Sequence, residues 1–366
     1  MADPKYKQIA QELMAEITAG KYQPTGRLPS EAQLVKRFDV SRPTAALALR
    51  QLQDQGLVVR RAGSGSFVRH HPGKMESGQQ QIGLLVPEIN ETEILEVICG
   101  DLARLSRLHD FSLLWSAGVD DDSEDIARTL CKPFLDQNVS GVFFAPFELH
   151  EQSLELNQRI TRQLRQAGVS VVLLDRDIHP FPSRSEFDLV GIDNFASGYL
   201  AASHLLKLGC RRLFFLGPPL AAPTILHRIA GAREAALTYQ GPREQDIQFD
   251  VQRLQADDDK TVKEIAAKSD AIICSNDRLA ATLMQTLARL GIAVPSDIRL
   301  VGFDDVKYAQ LLTVPLTTIH QPCRDIAMVA FRAMLDSIEK VVVPPRHCLL
   351  PGQLIIRESC GAYLNH

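Results

Sequence analysis

The sequence predicts an α/β chain, with an N-terminal winged helix-turn-helix ahead of a two-lobed body of doubly wound parallel sheets. Three observations carry this. Residues 28–68 set two short helices before a hairpin with a Gly-Ser-Gly tip. From residue 81 onward, short apolar runs alternate with helical stretches, the grammar of βαβ units. Charge is also segregated: residues 1–74 hold 12 Lys+Arg against 6 Asp+Glu, and the rest hold 28 against 38. A basic head on an acidic body confines phosphate attraction to one end.

In the head, residues 1–70, Tyr6, Ile9, Leu13 and Ile17 form one apolar helix face that ends near Gly20. Ser30 followed by Glu31 suits the cap of a second helix, with Leu34, Val35 and Phe38 facing inward. Asp39-Val40 makes the turn. Ser41 caps a third helix, and Pro43 is tolerated in its first turn, where the backbone N–H has no partner anyway. Ala45, Leu49 and Leu52 hold the inner face, and Gly56 ends the helix. Leu57–Arg61 and Ser66–Val68 read as short strands around Ala62-Gly63-Ser64-Gly65.

This order of residues suits DNA. A recognition helix meets the major groove with its N-terminal residues, here Ser41, Arg42, Pro43 and Thr44. Arg42 can fork onto guanine or phosphate, and the hydroxyls of Ser30, Ser41 and Thr44 suit phosphate oxygens or base edges. Arg60, Arg61 and the tip Gly63, Ser64, Gly65 lie along the backbone or the minor groove. A single arginine is more often a solvated charge, and Ser41 is first of all a cap. The whole series in this order is what points to DNA.

Residues 71–80 have no periodicity and read as a flexible linker; with His70 included, the eleven residues span about 18 Å on average as a random coil. The adjacent His70 and His71 have no Cys or carboxylate partners and fit plain linker better than a metal site.

The body, residues 81–366, carries apolar runs at 82–87, 111–115, 142–145, 169–174, 189–192, 213–217, 271–274 and 300–303. Helical segments include 94–108, 196–208, 227–239, 259–267, 278–290 and 322–338. Ligands of such sheets bind outside the carboxyl ends of the strands. Those positions here are Asp175-Arg176, Asp193-Asn194, Ser275-Asn276-Asp277 and Asp304-Asp305. Each is also a candidate helix cap, and Asp193, Ser275 and Asp277 lean that way. Trp115 could stack on a sugar face, although a core position is the more ordinary fate of a tryptophan.

The seven scattered cysteines form no C-x-x-C pair and suit reduced thiols in the cytoplasm, with no disulfide framework or zinc site. No secretory segment or membrane-length apolar run is present, so no membrane role is expected. The N-x-[ST] matches at Asn90 and Asn138 then carry no meaning.

Two resemblances follow. The segments Arg27-Leu28-Pro29-Ser30-Glu31, Ser41-Arg42-Pro43-Thr44, Ala48–Leu52 and Arg60–Val68 resemble the GntR family of bacterial repressors. The resemblance implies DNA contacts at Arg27, Ser41, Arg42, Thr44 and Gly63–Gly65. Ala32 and Ala46 stand where many members have arginine, so the family's operator consensus does not transfer.

The body resembles the LacI/GalR regulatory domain, itself similar to periplasmic sugar-binding proteins. The carrying segments include Ile82–Pro87, Val190–Asn194, Arg228–Gly231, Ala271–Asp277, Pro295–Asp305 and Pro315–Pro322. This resemblance implies an effector cleft lined by Asp175, Thr224, Arg228, Asn276, Asp304 and Gln321. The loop at 88–94 lacks the family's usual aromatic pair, and the linker stands where the family has a hinge helix.

Together the resemblances imply a chimeric transcriptional regulator of the arabinose-repressor type. Such a protein binds double-stranded operator DNA as a homodimer, answers to a small, sugar-like effector and needs no cofactor. GntR heads are also fused to aminotransferase-like enzymes, but no lysine here sits in a recognisable pyridoxal-phosphate context, and no hydrolase or nucleotide-binding motif is present. A solute-binding protein with a non-sugar ligand is the other alternative, and the DNA-binding head argues against it.

Overall fold

The structure is a computed structural model describing residues 4–18, 21–22, 28–54, 57–61, 65–68, 80–86, 93–116, 125–148, 152–218, 222–241, 246–253 and 258–364. In the head, α1 (Lys5–Thr18), α2 (Glu31–Phe38) and α3 (Arg42–Asp54) precede a hairpin of β1 (Val58–Arg61) and β2 (Gly65–Val68). The hairpin is antiparallel, with Arg61 opposite Gly65 and Arg60 opposite Ser66. Ile9, Leu13, Leu34, Ala45, Leu49 and Leu52 form its buried core, as the helical spacing of the sequence predicts.

The N-lobe begins with β3 (Gln81–Leu85), α4 (Glu93–Leu108), β4 (Ser112–Ser116), α5 (Ile126–Asp136), β5 (Gly141–Phe144), α6 (Ser153–Gln166), β6 (Ser170–Leu174) and β7 (Asp188–Ile192). The chain then crosses into the C-lobe. There it forms α7 (Asn194–Lys207), β8 (Arg212–Gly217), α8 (Pro223–Thr238), β9 (Gln248–Arg253), α9 (Asp259–Lys268), β10 (Ala271–Cys274), α10 (Asp277–Arg289), β11 (Arg299–Asp304) and β12 (Thr317–His320). It returns to the N-lobe for α11 (Cys323–Ile338) and β13 (His347–Leu350), then crosses a third time into β14 (Gln353–Ile355).

Each lobe is a six-stranded sheet, ordered β13-β7-β6-β5-β3-β4 in the N-lobe and β14-β12-β11-β10-β8-β9 in the C-lobe. Every pairing in the two sheets is parallel except β12 with β14. Helices cover both faces, so the strands are apolar on both sides. In β5, Phe143 faces α4 and α11, whereas Val142 and Phe144 face α5 and α6. In β10, Ile273 faces α7 and α8, whereas Ile272 and Cys274 face α9 and α10.

Elements absent from the sequence reading are α5, α6, β9, β12, β13 and β14. The α6 segment shows only Leu154, Leu156, Ile160 and Leu164 among polar residues, and α5 is interrupted by Pro133. Strand β9 lies at a sheet edge with alternating exposure, so no continuous apolar run marks it. Trp115, expected in the core, is 43% exposed on the edge strand β4. Most of the expected linker, and the Gly20 and Gly56 helix ends, lie outside the described residues.

The head also touches the N-lobe. The Arg332 guanidinium on α11 donates to the Gln53 carbonyl at 3.2 Å, and Leu108 at the end of α4 packs against the head core. Nothing in the sequence signals this contact. No helix among the described residues is long and apolar enough to cross a membrane, and none of the seven cysteines is in a disulfide.

Candidate nucleic-acid interface and ligand cleft

The N-termini of α2 and α3 form one exposed edge of the head. Ser30 caps α2: its Oγ accepts from the Gln33 backbone at 3.3 Å, while Gln33 Oε1 accepts from the Ser30 backbone at 2.8 Å. Ser41 Oγ accepts from the Thr44 N–H at 3.4 Å and shares a hydrogen bond with Thr44 Oγ1 at 2.8 Å, so Ser41 does cap α3. Arg42 is 80% exposed in its side chain, and its Nε donates to Glu31 at 3.2 Å. That pair brings the starts of both helices together and leaves most of the guanidinium in solvent. Ser41 and Pro43 are exposed beside it.

Behind this edge, Arg37 on α2 bonds Glu12 at 2.7 Å and Glu16 at 2.6 Å, tying α1 to α2. The Arg37 hydrogen bond, with help from Lys21 and Tyr22, brings the Glu16 carboxyl down to about 2 against the opposing effect of burial. Arg60 and Arg61 fall on β1 and Gly65 starts β2, which places them at the wing. Arg27, Gly63 and Ser64 lie outside the described residues.

The cleft is built from strand ends of both lobes. Asp175 follows β6, and Asp304 ends β11. Both are buried, at 8% exposure each, and both have left-handed backbone, with φ of 68° and 106°. Non-glycine residues in that region carry strain and cluster at functional sites. Burial pushes the Asp304 carboxyl up; Arg228 and Gln321 oppose the rise, and the charges of Asp175 and Glu93 add to it.

Arg228 lies on α8 at 5% exposure. Its Nε donates to Asn194 Oδ1 at 2.8 Å, its Nη1 to the Ser275 carbonyl at 2.5 Å, and its Nη2 lies 3.8 Å from Asp304. Its guanidinium carbon sits 4.5 Å from the centre of the Phe303 ring. The close seating of α8 on α7 sets this position. A Cβ on Gly198 would stand 2.0 Å from the Arg228 carbonyl oxygen, and one on Gly231 would stand 1.9 Å from that of Phe195. Only glycine permits that approach.

Thr224 is buried in the first turn of α8. Gln321, at the second crossing between lobes, donates through Nε2 to Asp304 Oδ1 at 2.7 Å. Asn276 proves to be the cap of α10, its Oδ1 accepting from the Leu279 N–H at 2.8 Å. Ser275 and Asp277, read as leaning toward capping, are not caps, whereas Asp193 caps α7 as expected. Ser275 Oγ is buried with no hydrogen-bond partner among the described residues. Asp277 accepts from Thr318 Oγ1 at 2.6 Å and from the Val306 N–H at 3.1 Å, and burial beside Asp304 holds its carboxyl well above the usual range.

On the N-lobe wall, Arg176 donates to Asp175 at 3.0 Å and pairs closely with Glu148. Asn194 and Ser275 were read only as strand-end positions, and here they hold Arg228; Tyr308 was not singled out in the sequence. Burial, with the charges of Glu93, Asp277 and Asp304, raises the Tyr308 hydroxyl to about 12. The arrangement offers a fixed fork, two buried carboxylates and an unpartnered hydroxyl between two lobes, a set suited to a compact polyhydroxylated ligand.

Comparison with known proteins agrees with both halves. Residues 5–68 match the gntR family of bacterial regulatory proteins, and residues 202–360 match a periplasmic binding protein-like domain. The chain thus joins a GntR-type DNA-binding domain to a periplasmic-binding-protein-like body, the make-up of a chimeric bacterial transcriptional regulator. It is 25% identical to the arabinose metabolism transcriptional repressor of Geobacillus stearothermophilus over 97% of both chains. It is 28% identical to the transcriptional repressor PurR of Vibrio atlanticus, over 70% of this chain and 74% of that one. A LacI family regulator from Enterococcus faecalis, solved with bound ribose, superposes at a TM-score of 0.62 with 25% identity, covering 76% of this chain and 98% of that chain.

Proposed function

We propose that this chain is a transcriptional repressor that binds a two-fold operator as a homodimer and is released or engaged by a sugar in the cleft. The observation that carries the reading is Arg228. It is buried, held by Asn194 and Ser275 and aimed at Asp304, in a chain whose other end is a winged helix. A buried guanidinium presents a rigid fork of donors, and the facing carboxylates accept from hydroxyls.

Asp175, Thr224, Asn276 and Gln321 complete the wall, with Asn276 offering its amide Nδ2 because its Oδ1 caps α10. Binding to both lobes at once favours their closure, and a closed body reorients the paired heads. On the head, Arg42, Thr44 and Ser41 enter the major groove, Ser30 and Arg27 hold phosphates, and Arg60, Arg61 and the 63–65 tip follow the backbone. The protein works in the cytoplasm, without catalysis of its own.

The relatives point to pentoses as the first ligands to try. Calorimetry of the full chain with L-arabinose and D-ribose, paired with operator binding with and without each sugar, tests the reading. A sugar that binds wild type but neither Arg228→Ala nor Asp304→Ala, and that changes operator affinity, is the expected result. Unchanged sugar affinity in both variants refutes the cleft assignment.

A further inference from the structure

A cavity of about 500 Å³ opens on the N-lobe, and none of the cleft residues described above lines it. One wall is a stripe of α6, formed by Gln158, Thr161, Arg162, Arg165 and Gln166. Their spacing of three, four, seven and eight residues puts them on one helix face. The other wall is the segment from Ile178 to Phe187.

That segment is held in shape by Asp177. Its carboxylate accepts from the His179 N–H at 2.9 Å, the Ser185 N–H at 3.1 Å and the Ser185 hydroxyl at 3.2 Å. Gln158 and the His179 ring meet across the floor at 3.4 Å. The cavity is thus braced between a helix and a loop closed on itself by hydrogen bonds.

The lining has two arginines and one carboxylate. Arg165 pairs closely with Glu186, which uses that carboxylate. Arg162 has no partner among the described residues, so the cavity holds a surplus positive charge. Gln158, Gln166 and His179 add donors around it. An exposed arginine is ordinary on an open surface; this one lines a concavity whose one carboxylate, Glu186, is paired with Arg165. The volume falls within the roughly 300–1,000 Å³ of small-molecule sites and far exceeds what a lone inorganic ion fills.

We propose that this cavity is a second ligand site, separate from the cleft, for a small organic anion carrying a phosphate or carboxylate group that Arg162 holds. The loop that forms its outer wall also carries Phe181, whose ring meets that of His227 edge-on at 5.7 Å. That loop therefore touches the helix that bears Arg228.

The test is calorimetry on the full-length protein with glycerol 3-phosphate, citrate and, as neutral control, glycerol. The expected result is saturable binding of one or both anions and none of glycerol. Arg162→Gln should weaken that binding at least tenfold, while Arg228→Ala leaves it unchanged. The two anions separate a phosphate site from a carboxylate site. Absence of binding by both anions at millimolar concentration, persistence of binding in Arg162→Gln, or its loss in Arg228→Ala each overturn the proposal. The Arg228→Ala arm also keeps this result distinct from any failure of the cleft reading.

Discussion

The carbonyl of Arg228 lies where a methyl group on Gly198 would be, so two helices of the C-lobe touch at bare backbone. The guanidinium fork that faces Asp304 is placed by that contact. Gly198→Ala should force α8 outward at a cost of roughly 1–3 kcal/mol, typical of overpacking. Urea unfolding should show the loss, and sugar affinity should fall further than in a surface control with no effect on Arg228.

Asp304 predicts a pH dependence with a definite sign. Burial raises its carboxyl, more than Arg228 and Gln321 lower it. The folded protein therefore holds this proton more tightly than the unfolded chain. The stability from this group is full below the ordinary aspartate range and is lost as pH rises through the raised value. Asp304→Asn removes that loss, so the variant should gain on wild type in thermal midpoint as pH increases. Ligand affinity should run the other way in wild type, falling as pH drops through the raised value, because a hydroxyl donor needs the ionised acceptor.

Arg42→Ala should weaken operator binding by roughly 1–3 kcal/mol if the side chain reads a base. Its only described protein partner, Glu31, is on the same exposed edge, so head stability should barely change. A footprint equal to that of wild type would remove Arg42 from the interface.

Ser30→Ala probes the same edge through stability. The capping box with Gln33 is complete, and loss of such a cap costs about 1 kcal/mol. Proteolytic susceptibility of the head should rise while the body is unaffected.

Glu16 sets the acid limit of the head. Arg37 holds its carboxyl at about 2, below the unfolded value, so its contribution is present above the ordinary glutamate range and is lost as pH falls toward 2. Arg37→Ala should unfold the head at higher pH than wild type, as followed by circular dichroism of the full chain across an acid titration.

The cleft was legible where chemistry follows an apolar run. Asp175 and Asp304 come directly after such a run and Asn276 one residue later, and Arg228 falls in a segment with a recognisable family pattern. Asn194 and Ser275 act on Arg228 across 34 and 47 residues of chain, and no local spacing encodes that meeting. The same limit hid the edge strands. Residues 248–253 alternate polar and apolar because one face of the edge strand β9 is exposed, and β13 is only four residues whose place depends on pairing with β7. Asn276 shows a single residue serving both readings, as a cap through one atom and a candidate ligand group through another.

The three crossings between lobes also set an order of assembly during synthesis. The head has its own buried core within the first 70 residues and can form as soon as they emerge. The N-lobe cannot finish then, because α11 and the edge strand β13 come after the whole of β8 to β12. Until residue 350 is made, the sheet begun at β3 lacks an edge strand and one of the helices that cover it. A ribosome that stops early therefore releases a finished DNA-binding head on an unfinished sensor. Such fragments would compete for the operator without answering to any ligand, and a nonsense mutation late in the gene would differ in phenotype from a deletion.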